Sequence, residues 1–256
     1  MQRRDTDVRL GEEQKRAADK GLKAMIPVGR PFLDYVISGL ADAGILDVCL
    51  VIGASPEHNH VRERYESAVV TRVRIAFAVQ HEPRGTADAV LAAEPFANGE
   101  HVLSVNADNY YPVNTLRALR ELGTAGVSVF ERRALIERSN IPAERVAHFA
   151  VVTVERDGTL KRIIEKPDAR TFASLGESAY IGMNSWSLPP EIYDACRRIR
   201  PSPRGELELQ DAIQLARDDM GVRFCVLVCR DGVLDLSTRA DIAAVTERLV
   251  GVDVRL

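Results

Sequence analysis

The sequence predicts an α/β fold in which a mixed, mostly parallel sheet carries helices on both faces. Three observations predict it. Short β-rich runs alternate with longer segments of helical period along the chain, as in crossover units built around a parallel sheet. The run at residues 48–52 is apolar throughout, as a strand covered on both faces is. Polar groups collect after the run at residues 102–106, and the carboxyl ends of strands are where open α/β sheets bind ligands.

The elements follow in order. After a charged leader, Pro31 opens a helix in which Phe32, Val36, Leu40 and Ala43 recur at three- and four-residue steps, and Gly44 supplies the stop. The strand at residues 48–52 comes next, then a polar helix near residues 61–69 and a strand at 74–80. The turn Glu82-Pro83-Arg84-Gly85 launches a helix over 86–96, and the strand at 102–106 leads to Asp108. Further strands are expected at 126–130, 149–154, 160–165, 180–188 and 224–228, with helices at 191–199, 207–218 and 239–249. Asp157-Gly158 between two β runs marks a hairpin. With 256 residues, no internal repeat and no evident linker, residues 1–256 read as one domain, and residues 1–22 as a leader that is poorly ordered or helical.

Composition narrows the function. Lys plus Arg number 34 against 37 Asp plus Glu, a formal charge of -3 without a long block of one sign, which argues against a nucleic-acid partner. No stretch approaches the ~18 apolar residues of a membrane span, so a membrane partner is not expected. Cys49, Cys196, Cys225 and Cys229 form no CxxC pair, which fits a reducing cytoplasm. The five histidines lack metal-ligand spacing, and His58-Asn59-His60 reads as a loop.

Four clusters carry chemistry. Lys23 precedes the proline-stiffened stretch Ala24-Met25-Ile26-Pro27-Val28; alone it would read as a surface lysine, and the other clusters change that reading. Gln80 stands at a strand end with Gly85 and Thr86 at the next helix start. An amide there can read a base edge, and a glycine lets backbone approach a ligand. Asn106-Ala107-Asp108-Asn109 places a hard carboxylate ligand for Mg²⁺ at a strand end. Glu165-Lys166-Pro167 sets an acid for sugar hydroxyls beside a point charge for phosphate.

In this order, KAMIPVGRPFLDYV, QHEPRGTADAV, VLSVNADN, RIIEKP, PSPRGELELQDA and VLDLST resemble the nucleotidyltransferase family of nucleoside-diphosphate-sugar pyrophosphorylases, such as glucose-1-phosphate thymidylyl- and uridylyltransferases. The resemblance covers almost the whole chain. It implies the Rossmann-like nucleotide-diphospho-sugar transferase fold. It also implies an in-line displacement in which a sugar 1-phosphate oxygen attacks the α-phosphate of a nucleoside triphosphate and pyrophosphate leaves. Mg²⁺ would be the cofactor, the two substrates the partners, and the assembly has room to be a homo-oligomer. Carried over motif by motif, Lys23 would contact the phosphates, Gln80 and Gly85 would hold the base, and Asp108 and Asp235 would share the metal. Lys166 would grip the sugar phosphate and Glu165 a sugar hydroxyl, with Asn184 bordering the sugar and Glu206 nearest to it. Thr86 and Asn109 join the substrate-binding set. A capping role for the carboxylates of the RGELEL segment, and a structural role for Trp186, stand beside these readings.

Three departures qualify the resemblance. The family opens with a strand and a GxGTRL-like loop whose backbone NH groups hold the triphosphate. Residues 1–20 contain neither, so a start further upstream is expected, with the N-terminal strand missing from this chain. Phe149-Ala150 replaces the family's tyrosine-glycine, and the WxDxGT-like segment reads Val233-Leu234-Asp235-Leu236-Ser237-Thr238. The competing readings are a catalytically silent nucleotide-sugar sensor or regulatory homologue, an inactive truncated form, and a generic α/β ligand-binding domain.

Overall fold

The structure is a computed structural model that describes Gln14, residues 22–176 and residues 179–256. Apart from Gln14 and Leu22, the predicted leader lies outside the described residues.

A 3-10 turn, Lys23–Met25, leads into α1 (Phe32–Asp42), which Pro31 opens; Gly44 at φ +82° ends the segment, as predicted. β1 (Asp47–Gly53), α2 (Pro56–Ser67) and β2 (Arg74–Gln80) form a parallel crossover unit in which Gly53 pairs with Gln80. His58-Asn59-His60, expected as a loop, lies inside α2, because Pro56 opens the helix earlier than its apolar positions suggest. The helix expected over 86–96 is two helices, α3 (Thr86–Ala92) and α4 (Glu94–Ala97). Pro95 lies in the first turn of α4, and its ring cannot continue a preceding helix. β3 (Val102–Ser104) and β4 (Asn109–Tyr110) follow, then α5 (Val113–Glu121) and β5 (Gly126–Phe130). An excursion carrying α6 (Arg132–Arg138) and α7 (Ala143–Val146) leads to the hairpin β6 (Ala150–Val154) and β7 (Leu160–Ile164). Its corner has Gly158 at φ +81°, a conformation open to glycine. The remainder is α8 (Ala169–Ser174), β8 (Tyr180–Leu188), α9 (Glu191–Arg198), α10 (Leu209–Met220), β9 (Cys225–Cys229), β10 (Leu234–Asp235) and α11 (Asp241–Arg248).

The main sheet runs β7-β6-β8-β5-β9, with β3 also paired to β8. β3, β5, β6 and β9 point the same way and the sheet is mixed, as expected, but within it only β5–β9 is a parallel pair. β8 runs against three of them, so antiparallel neighbours are more common than the crossover pattern alone suggests. Helices cover both faces. Val127 and Val129 of β5 face a cluster with Ala87, Ile192, Ala212 and Ile213, whereas Phe130 joins Phe32, Val36, Ile242 and Val245 on the other side.

The sheet is divided between β1 and β3. Among the described residues β1 pairs only with β2 and β3 only with β8. A cavity of about 1110 Å³ separates them, lined by residues 47–52 and 102–108, with Leu33, Val36, Ile37 and Leu40 of α1 on its wall.

Candidate active site

The site is assembled by the segments at the strand ends beside this cavity. Asp108 precedes β4, and β4 pairs antiparallel with β10 so that Asn109 stands opposite Asp235. The Leu236 N–H donates to Asp108 O at 2.9 Å. Two residues 127 positions apart are thus fixed on neighbouring backbones. The Asp108 charge is near enough to help raise the Asp235 carboxyl above its ordinary value. Desolvation is the larger cause, opposed by Ser237 and Arg145.

Lys23, at the head of the 3-10 turn, donates to Asp108 Oδ2 at 3.2 Å. Both side chains are about a quarter exposed, so the pair stays within reach of a ligand. Asp235 is far more enclosed, at 3 % exposure. Its Oδ1 accepts from Asn109 Nδ2 at 2.8 Å and Ser237 Oγ at 2.9 Å, and its Oδ2 from Arg145 Nη2 at 3.0 Å. Asn109 is itself buried and accepts from the Tyr111 hydroxyl, so it fastens Asp235 rather than facing the cavity.

The cavity that reaches Lys23 and Asp108 is also lined by Thr86, Asn184, Leu209 and Gln210. Asn184 adopts φ +55° within β8, an uncommon conformation for a side-chain-bearing residue that asparagine tolerates best. Its Oδ1 accepts from Gln210 Nε2 at 2.9 Å. Asp235, Gln80, Gly85, Glu165, Lys166 and Glu206 do not line this cavity.

Gln80 and Gly85 belong to a second contact. Gln80 Nε2 donates to Gly85 O at 3.0 Å and to Asp88 Oδ2 at 2.9 Å. Both partners accept only, which fixes the orientation of the amide. The Leu207 N–H donates to Arg84 O, and Leu207 O accepts from the Ala87 N–H. A methyl on Gly85 would collide with the Leu207 backbone. Thr86 Oγ1 accepts from the Leu209 N–H at 2.9 Å and so caps α10 from another segment. The capping considered for the RGELEL carboxylates is not made by them: Glu208 is the N-cap residue, but its side chain does not cap.

Glu208 is buried and accepts from Arg204 Nη2 at 2.6 Å, whereas Glu206 is exposed on the same turn. Glu165 lies near enough to this segment to feel the charges of Arg204, Glu208 and Asp211. The Glu165 carboxyl is raised by desolvation, with Lys166 and Arg204 lowering it and Glu208 and Asp211 raising it. Lys166 lies at φ +43°. Trp186 is buried and meets Phe224 edge to face at 6.4 Å, the structural role considered for it.

Sequence reasoning missed the excursion between β5 and β6. Asn140 Nδ2 donates to Asp235 O and Asn140 Oδ1 accepts from the Asp235 N–H, each at 2.8 Å. Arg145 joins Asp235 to Asp241. The polar, proline-interrupted stretch Ser139-Asn140-Ile141-Pro142 gave no signal for a partner 95 residues away.

Among the described residues no helix is long and apolar enough to cross a membrane. The chain shares 29% identity over 202 residues with the low-salt glycan biosynthesis nucleotidyltransferase of Haloferax volcanii, covering 78% of this chain and 52% of that one. It shares 28% over 196 residues with glucose-1-phosphate thymidylyltransferase of Streptomyces griseus, covering 75% and 50%. The chain thus spans about half the length of both relatives. A UDP-glucose pyrophosphorylase structure complexed with UDP-glucose superposes with a TM-score of 0.71 at 18% identity, covering 89% of this chain and 90% of that one. That likeness shows the fold. The nucleotidyl transferase family model matches residues 19–243, and the chain belongs to that family.

Proposed function

We propose that this chain joins a nucleoside monophosphate, taken from a nucleoside triphosphate, to a sugar 1-phosphate and releases pyrophosphate. The observation that carries the reading is the backbone adjacency of Asp108, just before β4, and Asp235 on the neighbouring β10, with Lys23 ion-paired to Asp108 at the cavity.

The donor set suits Mg²⁺. Asp108 and Asp235 offer hard oxygens, and among the described residues no cluster of three or more His, Cys, Asp or Glu could hold a metal alone. One or two carboxylates plus substrate phosphates is the usual way Mg²⁺ is bound. When bound there, the ion would neutralise charge building on the phosphates. Lys23 supplies a second positive charge at the same place. Gln80 presents its amide oxygen to the base, Lys166 grips the sugar phosphate, and Glu165 accepts from a sugar hydroxyl. No covalent enzyme nucleophile is needed, because holding attacker and phosphorus in line and stabilising charge account for such transfers. The four free cysteines suit a reducing cytoplasm.

A second reading, a nucleotide-sugar sensor without turnover, is favoured by the engagement of both Asp235 oxygens with Asn109, Ser237 and Arg145. Pyrophosphate release separates the two. A matrix of nucleoside triphosphates against sugar 1-phosphates with Mg²⁺ should give release for at least one pair, and a flat matrix accompanied by nucleotide-sugar binding would establish the sensor.

A further inference from the structure

The excursion between β5 and β6 ends on a guanidinium set among carboxylates. Arg145 Nη1 donates to Asp241 Oδ1 at 2.8 Å and Oδ2 at 2.9 Å, while Nη2 donates to Asp235 Oδ2 at 3.0 Å. Asp235 and Asp241 are 3 % and 5 % exposed, so each charge sits where water screens it poorly. Asp241 is otherwise spent: Oδ2 also accepts from the Thr238 N–H at 2.7 Å and hydroxyl at 2.9 Å, and Oδ1 from Asn140 at 3.3 Å. It is the acidic first-turn residue of α11 and has little left for a ligand.

The ion pairs at this place join three carboxylates, Asp108, Asp235 and Asp241, to two cations, Lys23 and Arg145. One negative charge is in excess within these pairs. Arg145 Nε is buried without a hydrogen-bond partner, so the guanidinium is held by its carboxylates rather than by full use of its donors. Asp235 Oδ2 faces Arg145, and Oδ1 is already doubly engaged by Asn109 and Ser237. A divalent cation approaching Asp235 therefore meets an oxygen that a resident cation already holds.

We propose that Arg145 is the built-in counter-ion of Asp235 and competes with a divalent cation for Asp235 Oδ2, leaving Asp108 as the principal carboxylate for the metal. The proposal rests on the metal site of the reading above. Arg145 is then a positioning residue: it sets how strongly the acidic pair attracts a cation and keeps the buried Asp235 charge compensated when none is bound. Truncating it leaves that charge without its partner, a costly state for a buried ion, and a bound divalent cation relieves it.

The test is Mn²⁺ binding by the full chain, followed by electron paramagnetic resonance, with the thermal midpoint read on the same samples with and without Mn²⁺. Arg145→Gln should bind Mn²⁺ about tenfold more tightly than wild type, as expected for loss of a close like charge. It should also melt lower than wild type without Mn²⁺ and gain more from its addition. Arg145→Lys, which keeps the charge and loses the planar fork, should stay near wild-type affinity. Asp108→Asn should lose binding in both backgrounds. Unchanged or weaker Mn²⁺ binding by Arg145→Gln, with wild-type binding still dependent on Asp108, overturns the competition and leaves the metal site standing. Binding that ignores Asp108 overturns the metal site itself and the competition with it. If Arg145→Gln does not fold, Arg145→Gln combined with Asp241→Asn, which also removes the carboxylate that the first change leaves unpaired, carries the same test, and affinity no higher than wild type overturns the proposal.

Discussion

Leu207 lies against Gly85 so closely that its backbone occupies the space a β-carbon would need. The Leu207 N–H donates to Arg84 O at 2.7 Å, and Leu207 O accepts from the Ala87 N–H at 2.9 Å. Two sequence motifs that looked like separate ligand contacts are one packed unit, and the glycine is explained by that packing before any ligand is considered.

Gly85→Ala should therefore destabilise the fold. Gly85 has φ +126° and ψ -179°, a region essentially closed to other residues at a cost of about 1–3 kcal/mol, and the contact with Leu207 adds to it. Urea denaturation measures the loss. A value within about 0.5 kcal/mol of wild type, the ordinary range for harmless substitutions, would contradict the packing account.

Thr86→Ala removes the oxygen that caps α10 at Leu209. Loss of such a cap costs about 0.5–2 kcal/mol. Thr86→Ser, which keeps the hydroxyl, should recover most of the loss in the same denaturation series.

The Glu165 carboxyl is raised by desolvation, which fixes the sign of its pH dependence. Its folded value exceeds its unfolded value, so the burial penalty is absent at low pH and develops as pH rises from the unfolded value through the folded one. Glu165 keeps much of its solvent exposure, so Glu165→Gln should be only slightly more stable than wild type at neutral pH, with the difference vanishing in acid. If the ionised form accepts from a sugar hydroxyl, the wild-type KM for sugar 1-phosphate should rise on acidification at a pH above the ordinary glutamate value of about 4.3. The Gln variant should lack that rise. Thermal midpoints and KM across a pH series read both effects.

The division of the sheet has a dynamic consequence. No strand pairing among the described residues ties β1 and β2 to the main sheet, so this unit should open apart from it. Hydrogen exchange at residues 48–52 should be faster than at residues 127–130 of β5, whose strand pairs on both edges. Equal protection would show that the two sheets open together.

Much of this was legible in the sequence because its signals were local. Gly44 stops α1, Asp157-Gly158 turns the β6–β7 hairpin, and the apolar run near Val48 forms β1. The Asp108–Asp235 approach came from the resemblance, since no local pattern links strand ends so far apart. The helices α6 and α7 were not legible: residues 131–149 hold many charges, and Ala134, Leu135, Ile141 and Val146 supply too few buried apolar positions to set a period. Gln80 and Thr86 looked directed at a ligand, yet both make tertiary contacts within the protein, with Asp88 and Leu209. A sequence marks residues that can hydrogen-bond, and folding decides whether the partner is substrate or chain.

The most direct measurement is a crystal structure of the full chain with Mn²⁺ and a non-hydrolysable nucleoside triphosphate, read at the manganese absorption edge. The account predicts an anomalous peak at about 2.1 Å from an Asp108 oxygen, on the side facing Asp235 and touching the nucleotide phosphates. A metal bound to the nucleotide but remote from both carboxylates would contradict it.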